Sequence, residues 1–537
     1  MGLSDYYKNQ ITSWTNAHWV FIQTIQGLYD LHNHNPLDPT QALPDYLSQV
    51  GEIQGLIQSL INQKSRARAL GAGWSFSKVG VPDNDGYILN SQFLKTWFPL
   101  NAQSVIAGIN ADNMFLFQCG MSIHDVHLAL GQNGKSLPVS GSSCGQTLIG
   151  AFTTGTHGSA FNGRPGTGAV QDAVRGLHLI VSPTRQVWLE PQSRPVVNTA
   201  FLSKLGIGPK DYIQDDDLFY SALNGLGAFG VVHGTLLEAV DEFYLDIYRT
   251  NAGFDSLKNA ITTFNFNGVD MGGAAPADLY HFEVMNNIFA SDKTKGAVVT
   301  VMSKTPTITN KIDIALSPDG EELPTLWAKI TGLAPALVPL AINTFITGSY
   351  PPILHKQGTL ADQNPFITNV GPGSVVCSMG IDMKDSYDAM MICQKLNTGN
   401  MPAWYEFRFI PQVSGSKKVL GFQRFPQTCI FEIAGFGSAE IVKYINDCLV
   451  MMEASGIKFT FHWGKYQPID IATTKYGYPQ AALQYQLTPA KLVAMYQDGS
   501  RDNVAVWKAS RSKLFGGDQS MMKFFENDMM DKLGLSV

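Results

Sequence analysis

Residues 137–163 read LPVSGSSCGQTLIGAFTTGTHGSAFNG, a run dominated by glycine, serine and threonine. Inside it, TTGTHGS (153–159) places His157 among glycines, and GAGWSF (71–76) is a second glycine-rich stretch earlier in the chain. Glycine allows the backbone to approach a ligand closely, and successive backbone N–H groups in a turn can bind an anion. The two stretches therefore indicate either tight structural turns or two loops that close on one large anionic ligand.

The earlier loop, GAGWSF, follows a predicted strand, RARAL (66–70), and a helix predicted over 49–64 from apolar residues at helical spacing. It lacks the GxGxxG order of dinucleotide-binding βαβ units. No acidic residue follows it about twenty positions later in a βαβ setting. The stretch therefore argues against a Rossmann fold.

Strand and helix patterns alternate along the chain, with glycine turns at their ends up to about residue 240. Strands are predicted at SVIAG (104–108), MFLFQCG (114–120), 177–182, 186–190, 280–285, 297–304, 429–436 and 458–463. Helices are predicted at 122–134 with Ser122 as N-cap, from Asp215, and over 438–456 with Ser438 as N-cap. This mixture predicts an α+β fold.

Composition bounds the class of protein. A chain of 537 residues predicts two large domains, and its net charge of -6 gives no reason to expect nucleic acid as a partner. The six cysteines form no CxxC pair and match no zinc pattern, which indicates free thiols and a cytoplasmic, reducing location. The N-terminus, MGLSDYYKNQITSW, lacks the features of a secretory signal.

The most apolar stretch is LAPALVPLAINTFI (333–346), which is shorter than a bilayer span and is interrupted by Pro335 and Pro339. We therefore expect no transmembrane span. The stretch is interpreted either as a buried core segment or as a lip that touches a membrane or a substrate channel.

Five stretches, in this order, carry a resemblance to a known family. RARALGAGWSFSKVG, the 137–163 run and DDDLFYSALNGLGAFGVV resemble successive flavin-binding segments of the vanillyl-alcohol oxidase (VAO/PCMH-type) family of FAD enzymes. WYEFRF and FTFHWGKYQP are similar to the C-terminal segments of its aldonolactone oxidase and alditol oxidase branch. The resemblance covers roughly residues 45–240 and 400–470, and the middle of the chain is matched only by position.

The resemblance implies an α+β architecture with a PCMH-type FAD-binding domain of two subdomains over residues 1–240. It further implies an α+β substrate (cap) domain over 241–450 and a segment over 451–537 that returns to the flavin site. In the family the first glycine loop holds the FAD pyrophosphate, which assigns that contact to Gly71, Ala72, Gly73, Trp74, Ser75 and Phe76. The TGTHG loop lies along the ribityl and isoalloxazine parts, and the residues implied there are Ser140, Gly141, Ser142, Ser143, Gln146, Thr147, Gly150, Thr154, Gly155, Thr156, His157 and Ser159. The adenine side would be completed by Gly225, Gly230 and Val232.

The mode of cofactor attachment departs from the family pattern. Many members of this branch carry a histidine, covalently bonded to the flavin, where this chain has Trp74, and an indole cannot form the same link. Cys144 lies one residue out of register with the cysteine used by doubly linked members, and His157 is not the usual attachment point. We therefore expect FAD to be bound non-covalently.

Glu406 and Arg408 form an E-x-R pair in the strand-like run WYEFRF, so both side chains should lie on one face of the strand. From spacing alone they are either a surface ion pair or a functional pair. The resemblance implies that the pair faces the flavin, where Arg408 would stabilise negative charge and Glu406 would orient the substrate hydroxyl. Lys465 in HWGK would lie near the same charge, beside the flavin, or assist deprotonation, whereas His462 and Trp463 are equally interpretable as packing residues. Thr460 and Phe461 replace the Arg-Pro common before this HW.

The resemblance predicts an oxidoreductase that removes hydride from a CH–OH group to flavin N5 and is reoxidised by oxygen or another acceptor. The substrate would be a small-molecule alcohol: a sugar lactone, an alditol or, alternatively, a bulky apolar, sterol-like alcohol. A flavin-binding protein without turnover is a second hypothesis.

A third hypothesis is a hydrolase, because residues 141–145 satisfy the GxSxG pattern of a nucleophile elbow. That elbow needs a strand before it and a helix after it. LPVS contains Pro138, and GQTLIGAFTTGTHG is predicted not to be helical, because it is rich in glycine and β-branched residues. We therefore disfavour a hydrolase.

Overall fold

The computed structural model describes residues 25–34, 41–83, 85–161, 168–313, 331–332, 334–363, 374–398, 401–410, 419–470, 474 and 476–537. Residues 1–24, which include the stretch examined for a secretory signal, lie outside the described residues. Leu333, the first residue of the apolar stretch, and the end of the 137–163 run also lie outside them.

The strands are, in chain order, β1 Gly27–His32, β2 Ala67–Leu70, β3 Tyr87–Phe93, β4 Trp97–Pro99, β5 Met114–Gln118, β6 Lys135–Ser136, β7 Val174–Ser182, β8 Arg185–Glu190, β9 Tyr212–Gln214, β10 Val231–Glu238, β11 Val240–Asp241, β12 Tyr244–Ala252, β13 Leu279–Asn286, β14 Ala297–Thr305, β15 Ile353–Thr359, β16 Ser374–Asp382, β17 Ala403–Ile410, β18 Thr428–Phe436, β19 Phe459–Phe461, β20 Gln497–Asp498 and β21 Arg501–Asp502. The first three form a parallel sheet in the order β1-β3-β2. A six-stranded sheet follows in the order β4-β5-β10-β7-β8-β9. The largest sheet has eight antiparallel strands in the order β15-β12-β14-β13-β17-β18-β16-β19.

The α-helices are α1 Ala42–Asn62, α2 Ile123–Gly131, α3 Leu148–Thr154, α4 Thr199–Lys204, α5 Asp216–Leu223, α6 Lys258–Thr263, α7 Val338–Ser349, α8 Ser386–Leu396, α9 Ala439–Ala454, α10 Pro489–Met495, α11 Asn503–Leu514, α12 Gln519–Phe524 and α13 Asp528–Lys532. Helix α1 packs against β7 through an apolar stripe that is fully or nearly fully buried, namely Val50, Ile53, Ile57 and Leu60. Burial of each such side chain contributes roughly 1.5–3 kcal/mol, so this stripe explains why the segment forms one long amphipathic helix.

Most of the elements predicted from the sequence are present, and the predicted N-caps are confirmed. The Ser122 hydroxyl accepts a hydrogen bond from the Asp125 N–H, and the Ser438 hydroxyl accepts one from Ile441. The strand predicted at 104–108 is wrong, because this segment forms turns in which Val105 makes a single bridge to Val197. Gly108 there has a φ of 88°, which a continuous strand does not adopt.

The prediction that residues 145–158 contain no helix is also wrong, because α3 lies within them. Thr147 caps this helix by accepting a hydrogen bond from the Gly150 N–H, and Gly155 ends it with a φ of 92°. The side chains of Leu148, Ala151 and Phe152 on this helix are buried. Capping and core packing therefore outweigh the low helix propensity of its glycine and threonines.

Two histidines are buried under α1, where β7 and β10 lie side by side. The Tyr46 hydroxyl lies 2.7 Å from His178 Nδ1, and the Tyr46 carbonyl lies 2.9 Å from His233 Nε2. Burial lowers the pKa of His178 to about 4, while burial and the neighbouring His178 lower the pKa of His233 to about 3. Both rings are therefore neutral in the folded protein at neutral pH.

This pair should make stability fall in mild acid. Between pH 6.5 and about 4 an unfolded chain protonates both histidines whereas the folded chain does not, so the free energy of unfolding falls as pH falls, by a few kcal/mol in total. Thermal unfolding followed across this range should show a flatter pH dependence in the double variant His178→Gln/His233→Gln than in the wild type. The control His124→Gln, at a half-buried position, should keep the wild-type slope; an equal slope in all three proteins would contradict this account.

Candidate active site

One long cleft runs from the two glycine-rich loops to a face of the eight-stranded sheet. Its empty space is about 2140 Å³, including the part that opens to solvent. Residues of both glycine-rich loops and of β17 and β18 line it, so the loop end and the sheet end belong to one continuous space.

The loop end of the cleft is built by close contact between the two glycine stretches. A Cβ placed on Gly71 would lie 2.0 Å from Thr147 Oγ1, so only glycine allows the first loop to rest on the second. Gly73 adopts a φ of 70°, which turns the chain sharply at the cleft wall. The buried Gln146 Oε1 lines the same wall and accepts no hydrogen bond from the described residues. A narrow, backbone-lined cradle with an unpartnered amide oxygen fits a flat, polar cofactor such as FAD.

Most residues assigned to the cofactor by resemblance line this cleft. They are Gly71, Ala72, Gly73, Trp74, Ser75, Phe76, Gly141, Ser142, Ser143, Gln146, Thr147, Gly150, Thr154, Thr156, His157, Gly225, Gly230, Val232 and Lys465. The three flavin-binding segments that the resemblance identifies therefore all line the same cleft.

Three of the assigned residues lie behind the wall instead. The Ser159 hydroxyl donates to the Phe282 carbonyl and accepts from the Phe409 N–H at 2.8 Å, so it joins β13 to β17. Ser140 is buried with its hydroxyl 3.3 Å from His127 Nε2, and Gly155 packs against the Phe422 ring. Direct contact of these three with a cofactor stays a prediction.

At the other end of the cleft, β17 presents Trp404, Glu406 and Arg408, while Tyr405 and Phe407 point into the core on its opposite face. The alternation predicted for WYEFRF is thus correct. The Arg408 side chain is only 6% exposed, so the interpretation of Glu406 and Arg408 as a surface ion pair is wrong. Arg408 also reaches across the cleft, because its Nη1 lies 3.3 Å from Ser142 Oγ in the second loop.

Two further carboxylates were not foreseen from the sequence. Glu432 on β18 stands directly opposite Glu406 in the strand register, and it accepts a hydrogen bond of 3.1 Å from Arg408 Nη2. Lys465 Nζ lies 3.7 Å from Glu432 Oε1, and Glu283 on β13 lies 3.7 Å from Arg408 Nε. A lone glutamate within an otherwise apolar strand, in CIFEIAGF and in YHFEVM, was the available signal.

The carboxylates of this cluster have pKa values that are shifted in opposite directions. Burial and the negative charge of Glu432 raise the pKa of Glu406 to about 7. Burial alone would raise the pKa of Glu432, but Lys465 and Arg408 hold it well below its ordinary value. The guanidinium pKa of Arg408 is raised, because the effect of the surrounding carboxylates exceeds that of burial. Near neutral pH the cluster therefore holds one exchangeable proton, on Glu406, beside two fixed cations.

The two histidines near the cluster are poor acid–base candidates. Burial lowers the pKa of His157 well below its ordinary value, and burial with the charge of Lys465 lowers that of His462 to about 3. His462 lines the cleft, and its Nδ1 accepts a hydrogen bond of 3.0 Å from the Gly464 N–H, which fixes the ring as a neutral acceptor. Trp463, by contrast, is buried packing against Tyr496.

Trp74 and Cys144 stand at or near the positions where a covalent flavin link was considered. Trp74, which stands where the family resemblance implies a histidine in many members, lines the cleft. Cys144 is 1% exposed, is not among the lining residues, and has its thiol pKa raised to about 12 by burial. It is therefore an unreactive thiol at neutral pH.

The hydrolase geometry is missing around Ser143. A nucleophile elbow joins a strand directly to a helix, whereas β6 ends at Ser136 and α3 begins at Leu148.

The apolar stretch contributes part of the cleft wall. Its described residues include α7, which buries Val338, Ala341, Ile342 and Ile346. Phe345 lines the cleft with its ring 4.7 Å from that of Trp404, and Tyr350 lines it just beyond the helix. Of the helices in the described part of the chain, none is long and apolar enough to cross a bilayer.

The chain shares partial sequence similarity with lactone oxidases, although no family model matches it. It is 25% identical over 207 residues to a putative D-arabinono-1,4-lactone oxidase of Neurospora crassa, covering 38% of this chain and 31% of that protein. It is 21% identical over 214 residues to the D-arabinono-1,4-lactone oxidase of Kluyveromyces lactis, covering 40% and 34%. The chain thus spans about a third of the length of these relatives.

Solved structures match over nearly the whole chain. A solvent-stable cholesterol oxidase superposes with a TM-score of 0.67 at 12% identity, covering 95% of this chain and 96% of that one. A carbohydrate oxidase from Microdochium nivale superposes with a TM-score of 0.58 at 12% identity, covering 98% and 95%. At such identities the likeness shows a shared fold. These matches confirm the fold class and the family resemblance predicted from the sequence.

Proposed function

We propose that this chain, which has the α+β fold of the VAO/PCMH-type FAD oxidases, is an FAD-dependent oxidoreductase that oxidises a CH–OH group. The observation that carries the proposal is one cleft that joins a backbone-lined loop cradle to a buried cluster of three carboxylates and two cations. The cradle suits a large flat cofactor, and the cluster suits proton removal beside it.

The cofactor would be held by the residues that line the loop end, with Gly71–Gly73 at its pyrophosphate and the second loop along its flavin. FAD, when bound, would supply the acceptor for the hydride that leaves the substrate carbon. Trp74 offers no bond to the flavin and the Cys144 thiol is buried, so we propose that FAD is held non-covalently.

Glu406 is our candidate for the group that takes the hydroxyl proton of the substrate. Its pKa of about 7 lets it exchange a proton at neutral pH, and Trp404 Nε1 holds it in place with a hydrogen bond of 3.2 Å. Arg408, fixed by Glu432, would stabilise the negative charge that develops on the substrate oxygen. Lys465 would balance the charge of Glu432 and lie beside the flavin.

The substrate class follows from the relatives and the wall of the cleft. The sequence relatives are lactone oxidases, which supports a sugar lactone or alditol, and the rings of Phe345, Tyr350 and Trp404 offer flat surfaces for the carbon face of a sugar. The same aromatic wall and the cholesterol oxidase fold keep a bulky apolar alcohol as the second candidate. Oxygen or another electron acceptor would complete the cycle.

The remaining proposals concern organisation and location. We propose that residues up to about 240 form the FAD-binding unit, that 241–450 form the cap, and that 451–537 return to the site, consistent with the eight-stranded sheet beginning at β12. All six cysteines are buried thiols that form no disulfide, which supports a reducing, cytoplasmic location.

The purified protein should be yellow, and acid precipitation should release its flavin into the supernatant. The reason is that neither Trp74 nor the buried Cys144 provides a covalent link. The test measures the visible spectra of supernatant and pellet for the wild type and for the variant Trp74→His. Colour that stays with the wild-type pellet would overturn the non-covalent proposal, and absence of flavin after incubation with FAD would overturn the proposed function.

Anaerobic bleaching of the flavin by a panel of aldonolactones, alditols, oligosaccharides and sterols identifies the substrate class. Bleaching by at least one of these alcohols is the expected result. A protein that binds FAD but is bleached by none of them, while dithionite still reduces it, would fit the alternative of a flavin-binding protein without turnover.

A further inference from the structure

Arg68 is a buried cation directly behind the loop end of the cleft. It lies on β2, three residues before the first glycine loop, and it is 0% exposed. Its guanidinium donates to the carbonyls of Val79 and Leu226, and a Cβ on Gly227 would lie 2.8 Å from its Nη2. Because Val79, Leu226 and Gly227 all line the cleft, one layer of backbone separates this charge from the space inside.

Buried donors hold alternate carbonyls of the loop 224–228. Trp507 Nε1 donates to Asn224 at 3.1 Å, Arg68 donates to Leu226, and Arg511 Nε donates to Ala228 at 2.9 Å. The loop that forms the adenine side of the cleft is thus tied outward to side chains beneath it. Two of these donors are charged. Arg511 forms an ion pair with Glu526, whereas Arg68 forms no ion pair with a described carboxylate.

The acidic groups around Arg68 are already engaged with other cations. Among the described residues, no carboxylate lies within ion-pairing distance of Arg68; Glu526, Asp83 and Asp528 act on it from farther away. Glu526 pairs with Arg511 at 2.6 Å, Asp528 with Lys78 at 2.5 Å and Asp83 with Arg66 at 3.1 Å. Burial lowers the pKa of Arg68 to about 10, so it still carries its charge at neutral pH. An isolated buried charge is costly, which implies that an anion offsets it in the loaded protein.

Among the described residues that line the cleft, no other cation is free to pair with that anion. The charged nitrogens among its lining residues belong to Arg408 and Lys465, and both are held against Glu432 at the sheet end. Lys78, next to the loop end, is turned away towards Asp528.

We propose that Arg68 is a positioning residue for the cofactor: from behind the wall it stabilises the anionic diphosphate of the dinucleotide through the loops that it holds. This inference rests on the proposed FAD function. In this proposal the positive charge that favours the phosphates comes from a side chain outside the cleft. Inside the cleft only backbone groups need to touch the phosphates.

The test compares ligands that share the adenosine part and differ in whether they carry the anionic diphosphate. Apoprotein is produced in riboflavin-starved cells, and its dissociation constants for FAD, ADP and adenosine are measured by titration for the wild type, Arg68→Gln, Arg68→Lys and Trp507→Phe. Arg68→Gln should lower the preference for ADP over adenosine by about 10- to 100-fold, as expected for losing one charge near the phosphates in a medium of intermediate dielectric constant. Trp507→Phe removes a hydrogen bond from the same loop without changing charge, so it should weaken ADP and adenosine alike.

The outcomes separate charge from packing. An unchanged ADP-to-adenosine ratio in folded Arg68→Gln would overturn the inference. If Arg68→Gln does not fold, Arg68→Lys decides: raising the pH from 7 to 9 removes the proton of a buried lysine, whereas Arg68, with a pKa of about 10, keeps its charge, so the ratio should fall in this variant and not in the wild type. A ratio that stays flat and equal to that of the wild type would overturn the inference. Wild-type protein that binds no FAD at all would instead overturn the proposed function.

Discussion

Arg408→Met is expected to slow bleaching of the flavin by the best alcohol substrate about 10²–10³-fold, the usual effect of removing one donor that stabilises charge in a transition state. Arg408 is the cation shared by Glu283, Glu406 and Glu432. Its loss removes the group that would stabilise the alkoxide and leaves Lys465 as the remaining cation beside Glu406 and Glu432, so it also weakens the cluster. Stopped-flow reduction of the flavin under anaerobic conditions measures the effect on this step.

Two further variants make the result specific. Arg408→Lys keeps the charge but cannot reach Ser142 and Glu432 with the same planar fork, so an intermediate rate is expected. Arg175→Met removes another buried arginine, which pairs with Glu238 and does not line the cleft, and it should leave the reduction rate unchanged even if the melting temperature falls. Equal rates for wild type and Arg408→Met would remove Arg408 from the reaction.

The rate of flavin reduction should also rise with pH and level off above about pH 7. The ionised form of Glu406 is the one that accepts a proton, and burial with the charge of Glu432 sets its pKa at about 7. Below that pH the carboxyl is already protonated and the rate falls tenfold per pH unit. Glu406→Gln should lower the plateau by about 10²–10⁴-fold and abolish this pH dependence.

Glu283→Gln is the matched control for Glu406→Gln, because Glu283 is a buried carboxyl in the same cluster whose pKa is held low by His281 and Arg408 despite burial. It should keep a pH-dependent profile, with a midpoint slightly below that of the wild type because one negative charge beside Glu406 is gone. If Glu406→Gln retained the wild-type profile, another group would be the proton acceptor.

The sequence correctly predicted the features that depend on the residues of a single short segment. The glycine loops, the capped helices α2 and α9 and the alternation of WYEFRF are properties of short segments, and the structure agrees with each. The helix α3 was missed because its stability comes from a capping threonine and three buried side chains rather than from propensity.

The carboxylates that complete the site were missed for a different reason. Glu283 and Glu432 join Arg408 only through the order and register of β13, β17 and β18: Glu283 lies more than a hundred residues before Arg408, and Glu432 lies 24 residues after it. Neither that register nor the depth of a glutamate in a strand can be deduced from spacing within one segment. For the same reason the sequence gives no sign that Ser159 ties two of these strands together.

The bonds that Arg68 and Asn527 make have a consequence for biosynthesis. Arg68 donates to the carbonyl of Phe525, 457 positions away along the chain, and Asn527 Nδ2 donates to the carbonyls of Lys78 and Val81. We therefore expect the loop end of the cleft to close only after helices α12 and α13 have left the ribosome. A chain that terminates before this segment is expected to lack the loop geometry that the proposed cofactor needs.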